Sequence, residues 1–510
     1  MPLDDASIAR VRPFCSDVEK DVFALFGLPE EVIAVLFAYY SRSKDDLRSN
    51  LAKLLAQEEL DVSHLEAAAR AGGGSVAEQK ARAFHEKWVV GYGHASVAEH
   101  ACVHLAVERV SILCAKAIED LRLASYTEKS TRYVQFSTDS FVTPPELAGE
   151  LRVLHERTSR ELFEAYLGLF PKTEAALATR IPRGEGQSEK GYASAIHAQA
   201  CDLLRGLLPA GTRTNLGITA NARSLAMLLC KMLASPLAEV RDVAGAMHEA
   251  SKAVSPTLVK YVEKDAHRAS VRDVLATKLR EAIAPPPAPR PDRNHVRFVA
   301  GDSSLTALRQ VAIALAYEHA SGVDAAGLAQ AIAGVDEPTL AGIVAEALSL
   351  RGRFDQAPRA FEASKLTAEL VLDYGAFRDL QRHRMLTQQV LRLGADLGAE
   401  VPAELEALGV AGEFKRALDR AGAAWRTIAK EAPDAAQYVV PLAYRVRTLW
   451  TLDLRELVHV VELRSARQGH QSYRRMAHEL MAIAEERYPW LAAHVRVDRT
   501  PVHALARSEK

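Results

Sequence analysis

The stretch FRDLQRHRML, residues 377–386, contains an Arg-His-Arg triplet at 382–384, and an altered copy of it occurs earlier in the chain. The earlier copy, AIEDLRLASYTEKSTRY (117–133), has Asp-Leu at positions 120–121 in place of the first arginine and the histidine. It also ends in a Ser-Thr-Arg-Tyr segment (130–133) that the later copy lacks. Each copy misses what the other retains, which predicts a duplicated protein whose halves share one active site.

The repeat extends beyond the triplet at a fixed spacing. LLPAGTRTNLGITANARSL (207–225) aligns with VVPLAYRVRTLWTLDLREL (439–457). Five pairs lie 232 positions apart: Pro209 and Pro441, Thr219 and Thr451, Asn221 and Asp453, Arg223 and Arg455, Leu225 and Leu457. A fixed spacing over several positions indicates an internal repeat rather than shared composition.

The spacing around the triplet is longer. Arg122 and Arg384 lie 262 positions apart, so the first half carries an insertion of about 30 residues, which we place at about 145–195. This region contains RIPRGEGQSEKG (180–191), which predicts an exposed loop.

A proline-rich segment, IAPPPAPRPDRN (283–294), separates the halves. Proline cannot continue a helix or a central strand, so the segment favours an extended connector. We expect a first domain at 1–282, a linker at 283–294 and a second domain at 295–510.

Hydrophobic periodicity indicates the class of fold. Alternation over 102–108 predicts a strand, and spacing over 110–123 predicts a helix, with the same order at 366–372 and 374–386. Longer helical patterns follow at 221–250 and 453–486. We predict an α+β fold, helix-rich with a mixed sheet, made of two domains in tandem.

The composition excludes some functions. Lys plus Arg total 64 and Asp plus Glu total 65, which argues against a broad surface for nucleic acid or membrane. The five cysteines are widely spaced and form no CxxC, so neither a disulfide framework nor a zinc site is expected. The N-terminus lacks the apolar segment of a signal peptide, and we expect a cytoplasmic protein.

Three groups of residues carry candidate chemistry. The triplet suits a phosphate or an electron-rich heterocycle, although a cationic turn at a helix C-terminus is the simpler alternative. Ser130 and Arg132 could cradle a phosphate, or form a polar turn that enters a strand TRYVQF. Arg464 could take part in chemistry through its planar fork, which Lys231, aligned with it in the first half, cannot provide, or it could belong to a solvated basic face.

Motifs in both halves resemble those of the flavin-dependent thymidylate synthases. They are GHASVAEH, ASYTEKSTRY, LLP and T-x-N-x-R-S-L in the first half, and QRHR, W-T-x-D-L-R-x-L and a following L-R in the second. The resemblance covers most of both halves. It implies an α+β domain that assembles as a homotetramer with sites at subunit interfaces, and therefore a homodimer of this duplicated chain.

The resemblance also implies an activity. The substrate would be dUMP, converted to dTMP with FAD as cofactor, methylenetetrahydrofolate as carbon donor and NADPH as reductant, and Arg464 would stabilise negative charge on the uracil ring. The nucleotide would be bound by Glu128, Ser130, Arg132, Arg205, Arg382 and Arg464. The FAD would be bound by His94, Ser96, Glu99, Asn221, Arg223, Arg382, His383, Arg384 and His459.

For Ser96 and Glu99 a helix-capping role stays equally open. The second half departs from the family pattern at the loop that holds the phosphate, with Thr387, Arg392, Gly394 and Gln437 at the expected Ser, Ser, Arg and Arg. Asp379 stands where a Gln is expected, and Asp453 where a flavin-contacting Asn is expected.

Two other functions therefore stay open: a flavin-dependent transferase for another pyrimidine nucleotide, and a non-catalytic nucleotide-binding descendant.

Overall fold

The computed structural model describes residues 4–40, 43–56, 95–283 and 292–502, which divide into two compact units. Unit 1 comprises Met1–Val110, Ala117–Glu128 and Thr214–Pro285, and unit 2 comprises Ser111–Lys116, Lys129–Arg213 and Pro286–Lys510. Unit 2 thus combines a large part of the first repeat with the second. Most of the proline-rich linker, 284–291, lies outside the described residues, and the domain limits stay a prediction.

The described residues form seven strands, and one or more helices separate each strand from the next. The strands are β1 (Cys102–Ser111), β2 (Ala124–Glu128), β3 (Arg213–Asn221), β4 (His295–Gly301), β5 (Lys365–Asp373), β6 (Thr387–Val390) and β7 (Arg445–Asp453). The first helices are α1 (Asp5–Val11), α2 (Glu30–Tyr40), α3 (Leu47–Ala56), α4 (Ile112–Ile118), α5 (Gly149–Arg180), α6 (Glu189–Leu204), α7 (Ala222–Leu233), α8 (Ala238–Lys252) and α9 (Ala266–Ala282). The others are α10 (Ser304–His319), α11 (Ala325–Ala333), α12 (Glu337–Ser349), α13 (Tyr374–Leu380), α14 (Ala403–Ala407), α15 (Ala411–Ala429), α16 (Leu454–Arg464), α17 (Gln471–Arg487) and α18 (Pro489–Ala492). The α+β class is confirmed.

Two small sheets result. Unit 1 has the order β1-β3-β2, and unit 2 has the order β4-β5-β7-β6. The pairs β2–β3, β4–β5, β5–β7 and β6–β7 are antiparallel. A mixed sheet was predicted, but these four strand pairs contain no parallel one. Strict alternation in β7 buries Val446, Thr448, Trp450 and Leu452, so one face of this central strand packs in the core.

The predicted helices after β1 and β5 are shorter than expected. Helix α13 ends at Leu380, because Gln381 caps it and His383 N–H then bonds to the Leu380 carbonyl at 3.0 Å, closing a tight turn. The turn exposes Arg382 but buries His383. The triplet therefore lies just beyond a helix, where its side chains diverge, rather than along the helix.

Inside unit 2 the two repeats contact each other symmetrically. Pro209 and Pro441, matched by the sequence repeat, face each other in an antiparallel bridge. The hydrogen bonds beside them form two symmetry-related pairs. In the first pair, Ala210 N bonds to Val440 O (2.8 Å) and Leu442 N to Leu208 O (2.9 Å). In the second pair, Gly211 N bonds to Tyr438 O (2.8 Å) and Ala443 N to Gly206 O (2.9 Å). Within each pair, donor and acceptor exchange repeats, and each residue is replaced by the one 232 positions away. The sequence repeat therefore corresponds to a local pseudo-two-fold axis.

The approach at this axis is close. A Cβ atom at Gly211 would lie 2.8 Å from the Tyr438 carbonyl oxygen, which real Cβ atoms do not tolerate. Glycine is needed at this position for backbone proximity.

The insertion in the first repeat is helical. The predicted range contains α5 and the start of α6, joined by the exposed residues 182–188 of the predicted loop. Helix α5 packs against α15 of the second repeat. For Ser130 and Arg132 the alternative of a polar turn that enters a strand is wrong in its second part: residues 131–133 form a turn, but 134–137 are irregular.

Among the described helices, none has the length and apolar character needed to cross a bilayer.

Candidate functional site

Unit 2 contains predicted site residues from both repeats. Ser130, Arg132 and Arg205 come from the first repeat, and Arg382, His383, Arg384, His459 and Arg464 from the second. Ser96, Glu99, Glu128, Asn221 and Arg223 belong to unit 1, and His94 lies outside the described residues. The triplet and the loop predicted to hold the phosphate therefore belong to the same unit of one chain.

Arg132 lies in the turn after β2 and points into unit 2. Its backbone N–H bonds to Ser130 Oγ at 3.2 Å. Its guanidinium forms a forked pair with Asp202 on α6, with Nε–Oδ1 at 2.7 Å and Nη2–Oδ2 at 3.0 Å. Burial alone would raise the pKa of Asp202, but the hydrogen bonds and charge of Arg132 outweigh burial and lower it to about 2.

Tyr473 on α17 lies between arginines of the two repeats. Arg132 Nη1 donates to Tyr473 Oη at 3.2 Å. The guanidinium carbons of Arg132 and Arg464 lie 5.9 and 5.6 Å from the centroid of the Tyr473 ring. Tyr473 is thus a direct link between first-repeat and second-repeat cations.

Arg464, the last residue of α16, contacts the triplet. Its Nε donates to His383 Nε2 at 2.8 Å, and His383 Nδ1 lies 3.0 Å from Glu456 Oε1. His459 lies edge-on to His383, with ring centroids 5.4 Å apart. Burial and the neighbouring Arg464 cation lower the pKa of His383 well below its usual value, so the imidazole is neutral.

These contacts form one continuous network, which we call the composite cluster. It consists of Asp202, Arg132, Tyr473, Arg464, His383 and Glu456. The first two residues belong to the first repeat and the other four to the second. Arg382 is exposed beside it, and its charge acts on both Asp379 and Arg464.

Arg205 is paired more deeply. Its side chain is 4% exposed, and Nη1 bonds to Asp379 Oδ2 at 3.0 Å. The unexpected Asp379 of the second repeat is therefore the partner of a first-repeat arginine. Burial alone would raise the pKa of Asp379, but Arg205 and Arg132 outweigh burial and lower it.

A small cavity of about 20 Å³ lies beside Arg205. Asp373 and His470 also line it, and burial lowers the pKa of His470 to about 3. Arg205 Nη2 and Asp373 Oδ2 are buried without a hydrogen-bond partner among the described residues. The volume suits about one water molecule and is too small for a phosphate.

In unit 1 the predicted flavin residues have local partners. Arg223 Nη1 bonds to Glu99 Oε1 at 2.5 Å, and Asn221 caps α7 by accepting from Ser224 N–H at 2.8 Å. Asp453 caps α16 in the same way, accepting from Glu456 N–H at 2.8 Å. The Asn-to-Asp difference between the repeats therefore preserves a helix cap.

The capping residues also correct one alignment. Counted from the caps Asn221 and Asp453, the position of Arg464 is occupied by Met232 in the first repeat, and Lys231 corresponds to the half-exposed Leu463. Lys231 instead pairs with Asp120, at 3.2 Å.

Sequence analysis missed four residues of this site: Asp202, Glu456, His470 and Tyr473. The repeat gives one signal for Asp202, because Asp434 stands 232 positions later. Asp434 pairs with Arg392, which aligns with Ser130, through Nε–Oδ1 at 3.0 Å. The other three differ between the repeats, at Ser224, Ala238 and Arg241, so only the contacts identify them.

Fold and site together define a tandem α+β protein with a cluster of arginines, carboxylates and one histidine built from both repeats. The family model described as "Thymidylate synthase complementing protein" matches residues 36–257 and 312–490, and the chain belongs to this family. The resemblance to the flavin-dependent thymidylate synthases and the tandem arrangement are thereby confirmed.

Relatives with the same length and relatives with half of it both occur. A "UPF0159 protein" of Chlamydia muridarum is 33% identical over 492 residues, 92% of this chain and 90% of the relative. A "UPF0159 protein Ta1429" of Thermoplasma acidophilum is 28% identical over 84% of this chain and 91% of the relative. A "Flavin-dependent thymidylate synthase" of Mycobacterium sp. (strain KMS) is 30% identical over 37% of this chain and 79% of the relative.

Among solved structures, a UMP/dUMP methylase PolB from Streptomyces cacaoi, bound with 5-Br dUMP, is similar at 18% identity. It covers 40% of this chain and 95% of its own, with a TM-score of 0.32, which is too low to support an argument about this chain.

Proposed function

We propose that this protein is a flavin-dependent thymidylate synthase that converts dUMP to dTMP, with methylenetetrahydrofolate as carbon donor and NADPH as reductant. Membership of the family and the names of the shorter relatives support this activity. The observation that carries the proposal is the composite cluster, because it joins the phosphate-loop arginine of one repeat to the triplet and Arg464 of the other.

The nucleotide phosphate would contact Ser130 and Arg132. The Arg132 side chain is 13% exposed, against 4% for Arg205. Arg132 keeps its fork towards Asp202, so a phosphate would approach it from the side of Tyr473. Arg205 would support this site through Asp379, because its own cavity is too small for a phosphate.

Arg464 would bind the pyrimidine ring and stabilise negative charge that develops on it. Burial lowers the pKa of Arg464, although the guanidinium of an arginine stays charged near neutral pH. Its contact with His383 holds the guanidinium in a plane next to Tyr473. Remote anchoring of the phosphate at Arg132 would then position the ring against Arg464.

The residues present fit a flavin at the triplet. Arg382 is exposed and Arg384 is half-buried at the turn after α13, so both can reach an anionic or electron-rich group, and His383 and His459 lie beside them. When bound, the flavin would supply the one-carbon carrier and hydride chemistry that no side chain of this chain can supply. The other residues predicted for the flavin, Ser96, Glu99, Asn221 and Arg223, belong to unit 1, and their role stays a prediction, as does that of His94, which lies outside the described residues.

A single purification tests the proposal. We expect the full-length protein to show the absorption bands of an oxidised flavin, which change when dUMP is added. With methylenetetrahydrofolate and NADPH it should release tritium from C5-labelled dUMP. Bound flavin without tritium release would eliminate the synthase and leave a flavoprotein that binds nucleotides.

A second candidate is a flavin-dependent transferase that acts on another pyrimidine nucleotide. The observation that favours it is the pairing of Asp379 with Arg205, because it occupies an arginine that the family pattern would leave for the phosphate. A panel of uridine and cytidine nucleotides in the same release assay distinguishes the candidates, since a preference for any nucleotide over dUMP supports the second.

A homodimer, in which two chains provide four family-like regions, is part of the proposal. Sedimentation of the full chain should give the mass of two chains, and a mass of one or four would contradict it.

A further inference from the structure

Glu456 has no role in the proposed function, yet it belongs to a buried chain of three side chains. Its Oε1 lies 3.0 Å from His383 Nδ1, and His383 Nε2 lies 2.8 Å from Arg464 Nε. The side chains of His383 and Glu456 are only 2% and 10% exposed. Both outer members lie on α16, and His383 lies in the turn after α13, so the chain joins two elements of unit 2.

The chemistry of the donors fixes the positions of the protons. Arginine Nε carries a hydrogen and cannot accept, so His383 Nε2 must accept with its lone pair. A neutral imidazole then carries its proton on Nδ1, which donates to Glu456. The other tautomer would place two N–H groups against each other at the His383–Arg464 contact.

The backbone fixes the carboxylate. Glu456 lies in the first turn of α16, and its N–H donates to the capping residue Asp453 at 2.8 Å. The backbone of Glu456 is therefore fixed in the capped first turn of α16, and the side chain of Arg464 extends from the last turn of the same helix. A rigid helix thus sets the distance between the two residues that contact His383.

We propose that Glu456 is a positioning residue that holds His383 in its Nδ1–H tautomer and thereby fixes the guanidinium of Arg464 for the substrate pyrimidine. The link to the pyrimidine rests on the proposed function. The tautomer and the position of Arg464 are properties of unit 2 that do not depend on it.

The first repeat supports this role, because it lacks the whole chain. At the positions of Glu456, His383 and Arg464 it has Ser224, Leu121 and Met232. Three residues that function only together have reason to be kept together in one copy and lost together in the other. Glu456 and His383 are thus both present in the second repeat, where they are in contact, and both absent from the first.

The test compares Glu456→Ser, which recreates the first-repeat residue, with a control on the same helix. Glu462→Gln is suitable, because Glu462 pairs with Arg351 at 3.0 Å, outside the composite cluster. In full-length protein labelled with ¹⁵N-histidine, the His383 signals are those lost in His383→Gln. We expect a protonated Nδ1 and an unprotonated Nε2 in the wild type and in Glu462→Gln. In Glu456→Ser the Nδ1–H loses its buried acceptor, so the contact between Nε2 and Arg464 should break in part of the molecules and a mixture of tautomers should appear.

A wild-type proton on Nε2, or an unchanged tautomer in Glu456→Ser, would overturn the proposal. If Glu456→Ser does not fold, Glu456→Gln keeps the test valid. The amide oxygen of the Gln can accept from Nδ1–H, so the Nδ1–H tautomer should persist in Glu456→Gln. Loss of that tautomer in Glu456→Gln would contradict the assigned geometry.

Turnover provides the second measurement. Glu456→Ser should lower kcat by about 10- to 100-fold, by analogy with the loss on removing the hydrogen-bonded partner of a metal-ligating histidine, and change the Kd for dUMP by less than about threefold. Glu456→Gln should retain more activity than Glu456→Ser. A loss confined to Kd would overturn the role towards Arg464. If the wild type shows no turnover, the proposed function fails and the tautomer comparison decides the role of Glu456 by itself.

Discussion

The two repeats use the same backbone positions for different purposes. Helices α7 and α16 start at equivalent caps, Asn221 and Asp453, and the equivalent prolines meet at the pseudo-two-fold axis. Only the second repeat fills the turn after α13 and the end of α16 with His383 and Arg464. Duplication therefore kept the framework in both copies, because packing depends on it, while the side chains of the site diverged.

At the loop after β2, by contrast, the first repeat carries the site residue and the second repeat lacks it. In the first repeat this loop carries Arg132, forked to Asp202. At the equivalent place the second repeat has Gly394, and a Cβ there would lie 2.7 Å from the Trp425 ring. The space of the lost arginine is occupied by an indole, so the change cannot be reversed by one substitution.

The largest expected effect comes from removing the planar fork of the second repeat. Arg464→Lys keeps the positive charge but cannot retain the contacts with His383 and the Tyr473 ring together. We expect kcat to fall by about 100-fold or more, with flavin absorbance retained. Lys231→Arg in the first repeat, at an ion pair outside the composite cluster, should leave the rate unchanged. Equal rates for wild type and Arg464→Lys would remove Arg464 from the chemistry.

The next effect separates the two arginine–aspartate pairs. Arg132→Gln should weaken dUMP binding by about 10- to 100-fold, as expected for one charge-assisted hydrogen bond to a phosphate. Arg392→Gln, which breaks an ion pair with Asp434 in the corresponding loop of the second repeat, should not change the Kd. Titration of the flavin absorbance with dUMP measures both. Similar losses in the two variants would show that the repeats do not differ at this loop.

Substitution at the axis should affect stability rather than binding. Gly211→Ala places a methyl group 2.8 Å from the Tyr438 carbonyl oxygen, and we expect the free energy of unfolding to fall by about 1–3 kcal/mol. Gly217→Ala in β3 has open space around the new Cβ and should be neutral or slightly stabilising. Urea unfolding of both variants measures the difference. An unaffected Gly211→Ala protein would mean that the repeats do not approach this closely.

A pH titration tests the Arg132–Asp202 pair without ligand. The pKa of Asp202 is lowered from 3.8 to about 2, so the pair stabilises the fold fully above pH 4 and loses this contribution as the pH falls towards 2. At roughly 1.4 kcal/mol per pKa unit, the loss is about 2 kcal/mol. The difference in unfolding free energy between wild type and Asp202→Asn should therefore shrink by this amount over that interval. If the unfolding free energies of wild type and Asp202→Asn changed with pH in parallel, Asp202 would not be paired with Arg132.

The smallest effect is expected from exchanging the caps. Asn and Asp cap helices about equally well, so Asn221→Asp and Asp453→Asn should each change the free energy of unfolding by less than about 0.5 kcal/mol. Replacement of either by Ala should cost about 1 kcal/mol. Thermal unfolding of the four variants is sufficient. Loss of flavin in Asn221→Asp but not in Asp453→Asn would show that the first-repeat residue serves the cofactor in addition to the helix.

Much of the fold could be predicted from the sequence. Alternation predicted the strand at 102–108, because a half-buried strand imposes a period of two on its residues. The strand at 366–372 was predicted because the second half repeats the order of elements of the first. The helix ends at Ile118 and Leu380 could not be predicted. They depend on which of the following side chains the core buries, as with His383, and that choice requires the packed neighbours.

The sequence by itself determined the family, the tandem repeat and the division of the motifs between the copies, because these depend on residue identity and spacing alone. The tertiary structure decided which partners those residues have. It joined Arg205 to Asp379 across 174 positions and Arg132 to Tyr473 across 341 positions. Such contacts leave no periodic signal along the chain, since they exist only where folding brings distant segments together and buries their charges in pairs.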